Sequence, residues 1–200
     1  MHETSDAELY SLMLAGEEDA FIALYRRWQA PIYGFALRLS GSVPVAEDVT
    51  QEAFMSLVNS SGFDPALGSF SSYLYGIARN HALRRIKREK IFAPIIEDSD
   101  EEPRNSLPAP SDPLNDLTRR ESIDAVQRAI AALPFRYREV VVLCELQELS
   151  YAEAAAIADC PEGTIRSRLH RARALLLERL RPRLKEEACD PRIEAARCMP

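Results

Sequence analysis

The sequence predicts an all-α protein of two small helical domains joined by a flexible acidic linker. Three observations lead there. Apolar residues recur at helical spacing across residues 6–90 and again from about residue 117. Between them, residues 92–115 (FAPIIEDSDEEPRNSLPAPSDPLN) hold five prolines, an acidic cluster and no helical period, a composition that cannot bury enough apolar surface to order itself. Residues 149–180 read as a capped helix, a tight turn and a second helix with a basic outer face. The predicted boundaries are a first domain over 6–91, the linker over 92–116, a second domain over 117–182 and a polar tail over 183–200.

In chain order, residues 6–15 form a short helix with Leu9, Leu12 and Met13 on one side. A longer helix over 17–39 carries Phe21, Leu24, Tyr25, Trp28, Ile32, Phe35 and Leu39 at helical spacing, with a kink or short break predicted at Pro31, which lacks a backbone donor. Residues 40–42 (SGS) make a turn, and Pro44 lies just inside the next helix, the position it favours. That helix, to about Asn59, buries Val49, Ala53 and Leu57 and turns Asp48, Gln51, Glu52 and Met55 away from them. Residues 60–68 (SSGFDPALG) have loop composition. The helix over 71–90 begins with Tyr73, Leu74, Tyr75 and Ile77 and ends in RNHALRRIKREK; Leu74 and Ile77 are assigned to the core.

After the linker, helices are predicted over 117–133, then from Phe135 to about Gln147, with Pro134 between them. Ser150 and Glu153 have the spacing of a capping box, in which each side chain satisfies an orphan backbone donor of the other. In the last helix Ile165, Leu169, Ala172 and Leu176 form the buried stripe. Arg166, Ser167, His170 and Arg171 occupy the opposite face, with Arg168 and Arg173 on its flanks. Donors on the outer face of a short helix, flanked by arginines that reach phosphates, suit a helix lying in a major groove. Past Pro182 the chain is predicted to leave the helix.

The bulk numbers agree. The net charge of −6 is unevenly spread: residues 79–90 hold six basic residues against Glu89 alone, and residues 166–185 hold eight against Glu178 alone. An acidic chain with two cationic stripes makes local phosphate contacts and has no general affinity for polyanions. Cys144, Cys160, Cys189 and Cys198 are widely spaced, without C-x-x-C or paired histidines, so neither a metal, a cofactor nor a disulfide framework is expected. Cys144 reads as a small core residue. The longest apolar runs, such as residues 140–144, are far too short for a membrane span, and the acidic N-terminus has no secretory pattern. The expected location is the cytoplasm. Nothing pairs a nucleophile with a positioned base, so the chain is not expected to be an enzyme.

Two separated stretches then match one family in the right order. DVTQEAF (residues 48–54), SYLYGIARN (72–80) and the basic helix after it resemble region 2 of bacterial sigma-70 factors, and residues 132–173 resemble region 4. Direct succession of the two regions is similar to the extracytoplasmic-function (ECF) group. The resemblance implies a sigma factor that binds core RNA polymerase and directs promoter-specific initiation. Asp48, Gln51 and Glu52 would dock on the β′ clamp helices, and region 4 would also contact the β flap. The melted −10 strand would be held by the loop of residues 60–68 with Phe63, by Tyr75 and by Arg79, Asn80 and Arg84. The −35 duplex would be read by Arg166, Ser167, His170 and Arg171, with Thr164, Arg168 and Arg173 on phosphates. Promoter DNA and an anti-sigma factor are the implied partners, without membrane insertion. The competing reading is a stand-alone helix-turn-helix regulator that binds duplex DNA without polymerase.

Overall fold

The computed structural model describes residues 4–92 and 115–188, including the side chains of residues 4–88 and 123–181. Four helices make the first lobe: α1 (Asp6–Leu14), α2 (Glu18–Ser40), α3 (Val43–Val58) and α4 (Phe70–Phe92). Ser5 and Glu8 close a reciprocal cap on α1. Gly41 ends α2 in the left-handed region (φ 72°), where a side chain would be strained. The second lobe contains α5 (Asn115–Ala131), α6 (Phe135–Val141) running into a π-helical segment (Val142–Leu146), α7 (Tyr151–Ala158) and α8 (Glu162–Ala188). Among the described residues there is no strand, and no helix is long and apolar enough to cross a membrane.

Helix α2 is the spine of the first lobe. It packs on α1, α3 and α4 and extends to α5 and α6 of the second. Leu24, Ile32, Phe35, Leu39, Val49, Leu57 and Leu74 are fully buried between these helices. Burial of each such side chain contributes about 1.5–3 kcal/mol. The buried cluster continues without interruption into Leu133, Val140, Leu143, Ile165 and Leu169 of the second lobe.

Three sequence expectations are corrected. Helix α2 is one continuous helix through Pro31, so of the kink or short break expected there the break is absent. An interior proline costs about 3 kcal/mol, and the buried Ala20 and Leu24 on one side of it, with Ile32, Phe35, Ala36 and Leu39 on the other, outweigh that. In α1, Leu12 is exposed and Tyr10 is buried in its place, because the Tyr10 ring completes an aromatic cluster with Phe63, Phe70 and Tyr73. Helix α8 continues past Pro182 to Ala188. The carbonyl that Pro182 leaves without a donor belongs to Glu178, which is exposed, so water satisfies it. Helix α5 begins at Asn115, inside the predicted linker; residues 93–114 lie outside the described residues, as do Cys189 and Cys198.

Candidate nucleic-acid interface

The helix-turn-helix is built as its sequence dictates. The Ser150 hydroxyl accepts from the Glu153 amide (3.2 Å), and Glu153 Oε2 accepts from the Ser150 amide (3.0 Å). Asp159 closes α7 in the left-handed region (φ 51°), which a short polar side chain tolerates. Ile165, Leu169 and Ala172 are buried, as their spacing predicts, and Leu176 packs against the core edge. That leaves Arg166, Ser167, His170 and Arg171 exposed on the outer face.

Several of these outward residues are pre-positioned. The Arg166 guanidinium stands 5.9 Å over the Tyr151 ring and 3.6 Å from Glu162, with its side chain still 67% exposed. The Ser167 hydroxyl donates to the Thr164 carbonyl (3.0 Å). The Arg171 guanidinium beside the Tyr137 hydroxyl holds that phenol below its ordinary range. On the flanks, Arg168 Nη1 lies 4.0 Å from Cys160 Sγ, and Arg173 pairs with Glu145 at 2.5 Å on the surface. An exposed pair of this kind contributes little to stability, so Arg173 is only weakly held by Glu145.

The basic helix α4 is arranged differently. Tyr75 is buried at 3% exposure, its ring packed by Phe35 and Trp28, and its hydroxyl donates to Gln147 Oε1 of the second lobe. Burial pushes its phenol up to about 12. Arg79 Nε lies 2.5 Å from Glu139 Oε1, and its Nη2 donates to the Ala158 carbonyl (3.2 Å). In this arrangement neither residue offers the open surface that the sequence reading assigns to them for the −10 strand. Phe63 is half-buried, with its ring centroid 5.4 Å from Tyr10 and 5.5 Å from both Phe70 and Tyr73. The aromatic cluster thus roots the loop, and Leu67 at its tip is 86% exposed. Asn80 and Arg84 are exposed.

The acidic face of α3 is partly neutralised from within. Arg85 bonds both Asp48 (2.9 Å) and Glu52, and His81 bridges Glu52 and Ser56, each at 2.8 Å. Burial pushes the Glu52 carboxyl up, but the Arg85 hydrogen bond and charge, joined by His81, outweigh it and hold the group below its ordinary value. Gln51 and Met55 are the exposed members of this face.

The inter-lobe contacts escaped the sequence reading. Besides the Tyr75 and Arg79 pairs, the Ser69 and Ser72 hydroxyls donate to Glu153 Oε1 (2.7 and 2.8 Å), and the buried Arg138 donates to the carbonyl of Leu39 at the end of α2 (2.9 Å). One signal was available: Leu74, Tyr75, Ala78 and Ala82 form a single buried stripe at helical spacing. No cluster of three or more potential metal-ligating side chains exists among the described residues. Cys144 is half-buried against the core, and burial pushes its thiol up to about 11.

Comparison with known proteins bears directly on both lobes. The family model for sigma-70 region 2 matches residues 24–91, and that for sigma-70 region 4 matches residues 123–186. The ECF RNA polymerase sigma factor SigW of Bacillus subtilis is 34% identical, over 83% of this chain and 91% of its own length. The ECF RNA polymerase sigma-E factor of Escherichia coli is 33% identical, over 92% of this chain and 98% of its own. Among solved structures, the sigma factor RpoE from Bartonella quintana, crystallised with the anti-sigma factor NepR, aligns with a TM-score of 0.60 at 27% identity. It covers 80% of this chain and 96% of that one.

Proposed function

The chain belongs to the sigma-70 family, in its extracytoplasmic-function group, and from that premise we propose how its residues divide the work of promoter recognition. The protein is a transcription initiation factor that acts with core RNA polymerase on promoter DNA. Its part is binding and positioning, with no bond made or broken by the chain itself.

Helix α8 reads the −35 duplex through Arg166, Ser167, His170 and Arg171, while Thr164, Arg168 and Arg173 hold phosphates. The observation that carries this assignment is the exposure of all four of these residues on one face, opposite the buried Ile165, Leu169 and Ala172. Arginine and histidine donors at this spacing reach base edges in the major groove. Asn80 and Arg84, with the loop of residues 60–68, supply the open part of the −10 surface. Phe63 and Tyr73 support that loop from beneath, since the Tyr73 hydroxyl bonds the Ser60 hydroxyl (2.7 Å) and the Tyr10 hydroxyl donates to the Ser60 carbonyl (2.7 Å).

Docking on core polymerase falls to Gln51 and Met55 together with Asp48 and Glu52, whose partner Arg85 is exchangeable for a basic group on the enzyme. The likeness to a sigma factor solved with its inhibitor supports regulation by an anti-sigma factor. Transcription in vitro by core polymerase supplemented with this chain tests the reading, with transcripts starting at discrete promoters as the expected result. Duplex binding without any affinity for core polymerase would instead favour a stand-alone regulator. Replacing Asp48 and Gln51 by Ala is expected to weaken competition against other sigma factors for core while leaving helix content unchanged by circular dichroism.

A further inference from the structure

We propose that Tyr10, on α1, is a positioning residue for the −10 strand: it fixes where the loop of residues 60–68 stands relative to α4, and so sets how sharply that loop discriminates among bases. The inference rests on the proposed role of the loop in strand capture. It extends promoter reading to a helix that lies ahead of the residues matching sigma-70 region 2.

The loop is anchored to the body of the lobe at Ser60 and Phe63, whereas Ser61, Gly62 and residues 64–68 are exposed. Tyr10 touches both anchors. Its hydroxyl donates to the Ser60 carbonyl (2.7 Å), and its ring stands edge-on to Phe63 with centroids 5.4 Å apart. The Ser60 carbonyl lies past the last turn of α3, where no following helical turn supplies a donor, and the phenol provides one. The same ring lies 5.8 Å from Phe70 and 6.3 Å from Tyr73, in the opening turn of α4. A single side chain, only 2% exposed, therefore ties together the end of α3, the loop and the start of α4. Edge-to-face ring contacts fix direction as well as distance.

Beyond its anchors the loop keeps its own shape. The Ala66 amide donates to Asp64 Oδ1 (2.9 Å) and the Leu67 amide to the Asp64 carbonyl (3.0 Å), a turn that projects Leu67 into solvent. Such a turn moves as a unit when its root moves. Tyr10 is itself held from the far side, because Ser5 and Glu8 cap α1 and Asp6 pairs with Arg27 of α2 (2.5 Å). Recognition groups must be kept within about 0.5 Å of their productive geometry by neighbours that are themselves locked. Tyr10 is placed as that neighbour. Buried beneath the loop, it acts through Ser60 and Phe63 and leaves contact with the strand to the exposed residues.

The test uses the full chain. Tyr10→Leu removes ring and hydroxyl, and Tyr10→Phe, which removes the hydroxyl alone, carries the test should the first lose helicity by circular dichroism. The first readout is amide hydrogen exchange of residues 60–68 in the free chain. The others are competition against another sigma factor for core polymerase, and transcription by the holoenzyme from promoters substituted one base at a time in the −10 and −35 elements. The expected result is faster exchange in the loop and a severalfold weaker preference among −10 variants, larger for Tyr10→Leu than for Tyr10→Phe. Competition for core and preference among −35 variants stay unchanged. Weaker transcription from every promoter alike, with the −10 preference retained, overturns the proposal, since Tyr10 then holds the fold and nothing more. So does faster exchange with unchanged preference, or no change in either. A wild-type holoenzyme without any −10 preference strikes the reading role of the loop, and the proposal with it. Exchange, which needs neither polymerase nor DNA, separates that failure from a failure of the anchor.

Discussion

Helices α4 and α8 carry similar basic stretches, yet the fold treats them in opposite ways. On α8 the arginines sit above an apolar stripe and face outward, pre-positioned by weak neighbours such as the Tyr151 ring and Glu145. On α4 the stripe with Tyr75 and Arg79 is itself an interior surface, paired with acceptors of the other lobe. The difference teaches that a cationic helix is not a binding site by composition. Accessibility depends on which of its faces the rest of the chain needs.

That contrast is open to several tests. The largest effect is expected at Glu139, whose removal as Glu139→Ala leaves the Arg79 guanidinium buried without its partner and costs about 3–5 kcal/mol in urea unfolding. A cost no larger than that of a surface substitution would erase the distinction between the two helices. On the open side, Arg171→Ala should leave unfolding nearly unchanged but cost about 1–3 kcal/mol of binding at its cognate base pair, read by competition between promoter variants. An equal loss on every promoter would reassign Arg171 to phosphate contact.

Ser150→Ala should cost about 1 kcal/mol of stability by removing the reciprocal cap of α7. Acid probes the same point. The hydrogen bond from Ser69, aided by those from Ser150 and Ser72, outweighs burial and lowers Glu153 from its ordinary 4.5 to about 2. Its stabilisation is therefore complete above about pH 4.5 and is lost as pH falls toward 2. Melting temperatures of the wild type and Glu153→Gln should converge across that window; a gap independent of pH would show that the carboxylate charge is irrelevant. The smallest effect is expected for Arg173→Ala, with no measurable change in melting temperature but a shallower salt dependence of DNA binding.

Much of this was legible in the sequence. The Ser150/Glu153 cap, the buried stripe of α8 and its exposed basic face follow from spacings of three and four residues, which helix geometry converts directly into position. Of the kink or short break expected at Pro31 the break is absent, and the helix does not end at Pro182, because a local rule about one missing donor was outweighed by burial in α2 and by solvent in α8. The contact of Tyr75 and Arg79 with the second lobe was missed for a different reason. Periodicity shows which face of a helix is apolar, but not that a polar flank will meet another lobe.

By itself the sequence determined the helices, their caps and the family, because each is encoded within a few residues or in the order of two motifs. Only the tertiary structure decided which basic residues stand open. The pairs that settle it, Arg79 with Glu139, Tyr75 with Gln147 and Ser72 with Glu153, join positions 60 to 81 residues apart. No local pattern brings such residues together; the shared core that packs α2 and α4 against α6 and α7 does.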